Sequence, residues 1–297
     1  TAAAVARDEG AARVLTASRR PDPAKGWISY EEAVRSGAQV VINTTPAGMY
    51  PDVGQCLLDV AAMPGLEAVV DVVYNPARTE LLLRAEEAGV PVTACGLEML
   101  VAQAVWAAEY FLDKPFADRE GEIRRSAAAL RRDILNVSLV GMPSSGKTTL
   151  GRALAAALGR PFVDLDEEIV RADGRSIPEI FAAEGEDGFR ARETEQVRRF
   201  GKESGLLISC GGGVVKRPEN VRALRQNGLV LFVDRPLEAL AVGGGRPLSS
   251  SPEALRAMEA ERRPLYEKAA DAVIRNDGTA EDAAARALQA LNELFAQ

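Results

Sequence analysis

Gly141-Met142-Pro143-Ser144-Ser145-Gly146-Lys147-Thr148 is the stretch whose reading decides the fold. It fits the pattern of a phosphate-binding loop: a glycine, four residues, then Gly-Lys-Ser/Thr. Asn136-Val137-Ser138-Leu139-Val140 before it reads as a buried strand, and Thr149 to Leu158 after it reads as a helix. The plainer alternative is a glycine turn ahead of an ordinary helix. A phosphate-binding loop needs this strand–loop–helix context. Glycines let backbone N–H groups turn inward around phosphate oxygens, and the helix N-terminus adds partial positive charge. Lys147 is then placed to reach the β- and γ-phosphates, and Thr148 to ligate Mg²⁺.

Outward from the loop, apolar strand-like runs alternate with amphipathic helical stretches. The strand candidates are 13–17, 40–43, 68–73, 136–140, 206–209 and 229–233, with 161–166 running into two acids. That alternation predicts α/β architecture, with parallel sheets covered by helices on both faces. A length of 297 residues accommodates two domains. The chain changes character between Asp113 and Asp133. Lys114-Pro115-Phe116 breaks a helix, and a charged stretch from Asp118 to Arg125 runs into an Ala-rich segment. The expected organisation is a first domain over 1–117, a charged joint of helical tendency over 118–134, and a second domain over 135–297.

Composition narrows the function classes. The net charge is −7 and no long basic run occurs, which argues against nucleic acid or an anionic membrane as partner. No stretch approaches the roughly 20 apolar residues of a membrane span, and Thr1 to Asp8 form no signal sequence. Cys56, Cys95 and Cys210 are far apart and odd in number, so they suit neither a metal knuckle nor a disulfide framework; a reducing cytoplasm is expected. Histidine is absent, so proton transfer falls to carboxylate, lysine or water. The pattern is silent on oligomeric state.

Several groups follow the loop in order. Pro161-Phe162-Val163-Asp164-Leu165-Asp166 is a strand ending in two acids, one suited to Mg²⁺ through water and the other to a second substrate. Asp166 also suits the N-cap of a following helix. Phe189-Arg190-Ala191-Arg192-Glu193 comes next. Gly211-Gly212-Gly213 follows a strand, either for close backbone approach to a ligand or as a loose turn. Gly243-Gly244-Gly245-Arg246-Pro247-Leu248-Ser249 reads as a lid carrying one arginine, or as a surface loop. Arg262-Arg263-Pro264-Leu265-Tyr266 and Arg275-Asn276-Asp277-Gly278 complete the set.

In this order and spacing, residues 136–297 resemble shikimate kinase. The resemblance implies a P-loop domain of nucleoside-monophosphate-kinase type that uses ATP and Mg²⁺ to phosphorylate the 3-hydroxyl of shikimate. It implies that Gly141, Ser144, Ser145, Gly146, Lys147, Thr148 and Thr149 surround the ATP phosphates. Thr148 and Asp164 would serve Mg²⁺, with Ser209 near its water shell. Asp166 would meet the reacting hydroxyl. Arg190 and Arg262 would hold the shikimate carboxylate, Glu193 would orient Arg190, and Gly211, Gly212 and Gly213 would line the substrate. Arg246 would close from the lid with a catalytic role beside Lys147 and Asp166, and Asn276 and Asp277 would lie at the adenine. The chain departs from the family at Leu240-Ala241-Val242, where a basic residue is often found, and Cys210 stands where threonine is common. Another small-polyol kinase, such as one for gluconate, shares loop and fold and is the competing reading.

The first half carries other motifs: Asn43-Thr44-Thr45-Pro46-Ala47-Gly48-Met49, Val73-Tyr74-Asn75-Pro76-Ala77-Arg78-Thr79, and Gly96-Leu97-Glu98-Met99-Leu100-Val101-Ala102-Gln103-Ala104. Singly, each is an ordinary strand–turn–helix join. Together they resemble the NADP-binding domain of shikimate dehydrogenase. The resemblance implies an incomplete Rossmann-like three-layer domain, with Asn43, Thr44 and Thr45 beside the cofactor and Gly96 and Met99 at its nicotinamide end. Tyr74 and Gln103 would reach substrate. Ser18, Arg19 and Arg20 would read the 2′-phosphate of NADP, where NAD sites favour an acid. The family's glycine turn and substrate domain would precede Thr1. The expectation is a piece of a longer fusion that reduces 3-dehydroshikimate with NADPH and then phosphorylates shikimate, the present chain performing only the second step. A scaffold or interaction role for the first half is the alternative.

Overall fold

The computed structural model describes residues 1–240 and 251–296. The chain divides into two compact units, Thr1–Ile123 and Arg124–Gln297.

The first unit opens with α1 (Ala2–Asp8), β1 (Thr16–Ala17), β2 (Trp27–Ile28) and α2 (Tyr30–Val34). It continues with β3 (Val40–Asn43), β4 (Ala68–Asp71), α3 (Glu80–Glu87), β5 (Val92–Cys95) and α4 (Leu97–Leu112). Its strands form two parallel sheets, β1-β2 and β3-β4-β5. Two expected strands are shorter than their apolar runs. Only Thr16 and Ala17 of 13–17 enter a ladder, with β2, which the sequence pattern did not single out. The 68–73 run stops at Asp71 because the Asp71 carboxylate accepts the Val73 N–H at 3.0 Å. Val60, Leu66, Val69, Leu81 and Leu82 form the local core.

The segment expected as a joint is a 16-residue helix, α5 (Arg119–Ile134). The Asp118 carboxylate accepts the Gly121 N–H at 2.9 Å at its start. Glu120 and Glu122 lie in its first turn and Arg131 and Arg132 in its last, the placement that complements a helix dipole. The division between the units falls inside this helix.

The second unit continues with β6 (Asn136–Val140), α6 (Lys147–Leu158), β7 (Phe162–Asp164), α7 (Leu165–Asp173), α8 (Ile177–Phe200) and β8 (Leu207–Ser209). Then come α9 (Pro218–Gln226), β9 (Gly228–Asp234), α10 (Pro252–Ala269), β10 (Ala272–Arg275) and α11 (Ala280–Phe295). All five strands are parallel, in the order β10-β9-β6-β8-β7. β6 is buried at every residue because it is central and covered on both faces. Toward one face, Leu139 and Leu207 pack on α6, where a Cβ added to Gly151 would sit 3.3 and 3.1 Å from them. Toward the other, Val140, Ile208 and Phe232 share a core with Val197 of α8, Leu224 of α9 and Tyr266 of α10. Burying each such large apolar side chain contributes roughly 1.5–3 kcal/mol. α8 bends at Gly185, whose φ is 71°. Asp173, Arg175, Glu184 and Arg192 bridge α7 to this bend, with Arg175–Glu184 at 2.7 Å and Arg192–Glu184 at 2.8 Å.

Candidate active site

The carboxyl ends of the five strands supply the loop after β6, Asp164 of β7, Ser209 and the glycines after β8, Asp234 of β9 and Asn276 after β10. This is the edge at which open parallel sheets bind ligands.

The phosphate loop is shaped by backbone that L side chains adopt poorly. Gly141 has φ +146° and Gly146 has φ +92°, and a Cβ on Gly141 would stand 2.6 Å from the Val233 carbonyl oxygen. Ser144 also has positive φ, at 64°. Asn276 Nδ2 donates to the Ser145 carbonyl at 2.7 Å, tying the end of β10 to the loop. Lys147 is buried, and its ammonium donates to the Gly141 carbonyl at 3.0 Å and the Met142 carbonyl at 2.8 Å. Thr149 follows in the first turn of α6.

Beside the loop, three hard oxygen donors meet. Thr148 Oγ1 donates to Asp164 Oδ2 at 2.9 Å and lies 3.5 Å from Ser209 Oγ. Among the described residues no group of three or more His, Cys, Asp or Glu gathers in metal-ligand fashion. One carboxylate and two hydroxyls fit Mg²⁺, which keeps several waters and takes few protein oxygens. Asp164 also takes the capping place that the alternative reading gave to Asp166: its Oδ1 accepts the Asp166 N–H at 3.1 Å, so Asp164 caps α7 and Asp166 lies in the first turn. A cap needs extended backbone, and Asp164, at φ −100° and ψ 115°, has it as the last residue of the strand.

The glycine triplet is a hub rather than a loose turn. A Cβ on Gly211 would lie 2.7 Å from Glu193 Oε1 and 3.1 Å from Asp166 Oδ1. On Gly212 it would lie 2.8 Å from Pro143 of the phosphate loop, and on Gly213 it would lie 2.0 Å from Arg190 Nη2. The Gly212 carbonyl accepts Arg262 Nη1 at 3.1 Å and the Tyr266 hydroxyl. Arg190, Arg262 and Glu193 are all buried. Arg190 donates to Glu193 Oε2 at 2.8 Å and to Glu186 Oε1 at 3.1 Å. Burial pushes the Glu193 carboxyl up to about 7 despite the adjacent Arg190 guanidinium. Burial likewise pushes the Tyr266 hydroxyl up to about 12.

The structure thus brings together Lys147, Thr148, Asp164 and Asn276 around one loop, and Asp166, Arg190, Glu193 and Arg262 around the triplet. Asp277, one residue beyond Asn276, is paired with Arg286 at 2.6 Å. Arg246 and the 243–249 lid reading lie outside the described residues. Two contributors carried no role in the sequence reading. Glu186 lies four residues before Arg190, a spacing that signals a helical pair. Arg217 donates to the Arg190 carbonyl and to Thr194 Oγ1, both at 3.2 Å, which only the tertiary fold reveals.

In the first unit, Asn43 Nδ2 donates to Asp71 Oδ1 at 2.9 Å, and Thr45 Oγ1 donates to Asn43 Oδ1 at 2.7 Å. Thr79 Oγ1 donates to Asp71 Oδ2 at 2.7 Å. Burial raises the Asp71 carboxyl above the ordinary range. Gly96 lies against Val72, whose carbonyl oxygen a Cβ would meet at 2.0 Å. Asn43, Thr44 and Thr45 border a cavity of about 920 Å³ together with β1. Ser18, Arg19, Arg20, Tyr74, Gly96, Met99 and Gln103 do not line it.

A five-stranded parallel sheet with a phosphate loop after its central strand, and acids, glycines and buried arginines at the same edge, defines a P-loop phosphotransferase. The family model for shikimate kinase matches residues 143–292, and the chain belongs to that family. A shikimate kinase from Symbiobacterium thermophilum is 46% identical over 169 residues, spanning 54% of this chain and 97% of its own. The solved shikimate kinase from Acinetobacter baumannii in complex with shikimate is 36% identical, covering 56% of this chain and 98% of its own at a TM-score of 0.53. A chorismate mutase/shikimate 5-dehydrogenase fusion protein from Clostridium acetobutylicum matches 40% of this chain and 47% of its own at 30% identity and a TM-score of 0.37, a likeness that assigns nothing by itself. No helix among the described residues is long and apolar enough to cross a membrane.

Proposed function

We propose that this chain transfers the γ-phosphate of ATP to the 3-hydroxyl of shikimate. The observation that carries this reading is the convergence of Asp166, Arg190, Glu193 and Arg262 on Gly211–Gly213, with Pro143 of the phosphate loop against Gly212. One acid and two arginine forks beside a phosphate loop suit a small hydroxy acid. Arginine is the planar, bidentate partner of a carboxylate.

In this reading, the backbone N–H groups of Gly141 and of Ser144 to Thr149, with the Lys147 ammonium, hold the phosphates. Asn276 braces the loop, and Arg246 would act on the transferring phosphate. Arg190 and Arg262 take the carboxylate of shikimate, and Glu193 with Glu186 fixes the Arg190 fork. Asp166 accepts the proton of the 3-hydroxyl as its oxygen bonds to the γ-phosphorus. The bond from that phosphorus to the β–γ bridging oxygen breaks, and ADP leaves. Positioning and charge neutralisation supply most of such a rate enhancement. Thr148 and Asp164, with Ser209 nearby, would hold Mg²⁺, which when bound neutralises charge on the phosphates.

For the first half we infer a NADP-binding module of the shikimate dehydrogenase type over 1–117, joined through 118–134 to a kinase over 135–297. The order of its three motifs and the Asn43–Asp71–Thr79 hydrogen bonding support this. The kinase reading is tested by ADP formation with shikimate, gluconate or no acceptor; equal ADP formation in all three would refute it. The module is tested by titration with NADPH and NADH, and failure of both to bind would leave a scaffold.

A further inference from the structure

The last glycine of the phosphate loop has a cation beside it that no described carboxylate neutralises. Arg235 directly follows β9, which ends at Asp234. A Cβ built on Gly146 would lie 3.7 Å from Arg235 Nη1 and 2.6 Å from Asn276 Nδ2. The Arg235 guanidinium therefore stands at the flank of the loop that Asn276 braces. Its Nε is buried and meets no hydrogen-bond partner among the described residues.

The nearby acids are engaged elsewhere. Asp234, its chain neighbour, accepts Arg263 at 2.6 Å, and Arg263 is held further by Glu259 at 2.6 Å. Asp277, one residue beyond Asn276, is paired with Arg286 at 2.6 Å. A half-buried guanidinium whose Nε has lost water and gained no partner is costly. It is also preorganised, because its planar fork is ready for two oxygens of one phosphate. Beside it are the N–H groups of a loop built for phosphate.

We propose that Arg235 is a further nucleotide-binding residue, gripping the phosphate chain of ATP from the β9 side of the loop. This rests on the ATP reading above. It predicts a contact to phosphate oxygens, not to the base.

The test uses the full chain, its Arg235→Ala variant and its Arg235→Lys variant. Calorimetric titration measures ADP and MgATP binding, inorganic tripolyphosphate is scored by its displacement of ADP, and shikimate binding serves as the fold control. Arg235→Ala is expected to weaken ADP, ATP and tripolyphosphate by roughly ten- to a hundredfold, with shikimate affinity unchanged. Arg235→Lys is expected to recover part of the loss by keeping the charge without the fork. Unchanged ADP binding in Arg235→Ala would overturn the proposal. So would a loss for ADP with none for tripolyphosphate, which would assign the side chain to the base. Failure of the unsubstituted chain to bind ATP at all would instead bring down the ATP reading, and this inference with it.

Discussion

Arg190 and Glu193 lie one helical turn apart on α8, both buried, with Nη1 donating to Oε2 at 2.8 Å. Burial nevertheless holds the Glu193 carboxyl at about 7, above its ordinary value of 4.5. A carboxyl raised in the folded state favours folding where it is protonated. That stability is fully present below pH 4.5 and is lost as pH rises through about 7. The gap corresponds to on the order of 3 kcal/mol. Glu193→Gln removes the titration. The stability difference between the native chain and this variant should therefore shift against the native chain between pH 5 and 8, measured by calorimetric melting of the second unit. Parallel pH profiles would contradict it.

Asp166→Asn should lower turnover by roughly 10²–10⁴, the usual cost of losing a positioned base. Affinity for ATP should be nearly unchanged, because the capping bond to α7 is made by the Asp164 side chain and uses only the Asp166 backbone N–H. Steady-state kinetics and ATP titration separate the two effects, and near-normal turnover would remove Asp166 from the chemistry.

Arg262→Ala should weaken shikimate binding about ten- to a hundredfold, corresponding to a charge-assisted hydrogen bond of about 1.5–3 kcal/mol. Arg262→Lys should remain weak, since an ammonium replaces the fork without its geometry. An equal loss for ATP in titrations would count against a role specific to the carboxylate.

Gly213→Ala places a methyl 2.0 Å from Arg190 Nη2, the far end of a long side chain. The guanidinium should yield and the fold survive. The melting temperature should fall, because the buried pair with Glu193 is disturbed, and the KM for shikimate should rise about tenfold or more, as expected for a displaced charge-assisted contact. An unchanged KM in the folded protein would reverse this assignment.

The features legible in the sequence are those fixed by local chemistry. β6, the loop and α6 follow from an apolar run, glycines that need positive φ, and a helical pattern, all within 23 residues of chain from Asn136 to Leu158. β5 was not legible, because Val92–Cys95 is four residues of a sheet edge with a half-exposed pattern. The assignment of the α7 cap turned on backbone conformation: two acids one residue apart look alike until one is seen to be extended and the other helical. The triplet's role as a hub depends on Tyr266, 54 residues away in sequence, reaching the Gly212 carbonyl. Such long-range packing leaves no periodic trace. Glu186 was the exception, since its four-residue spacing to Arg190 was available to read.

Gly212 has Pro143 of the phosphate loop on one side, and its carbonyl is held by Arg262 and Tyr266. In the function proposed above, the phosphate donor and the acceptor would lie on either side of this one peptide. Any coupling that this peptide carries between the two ligands must be equal in both directions.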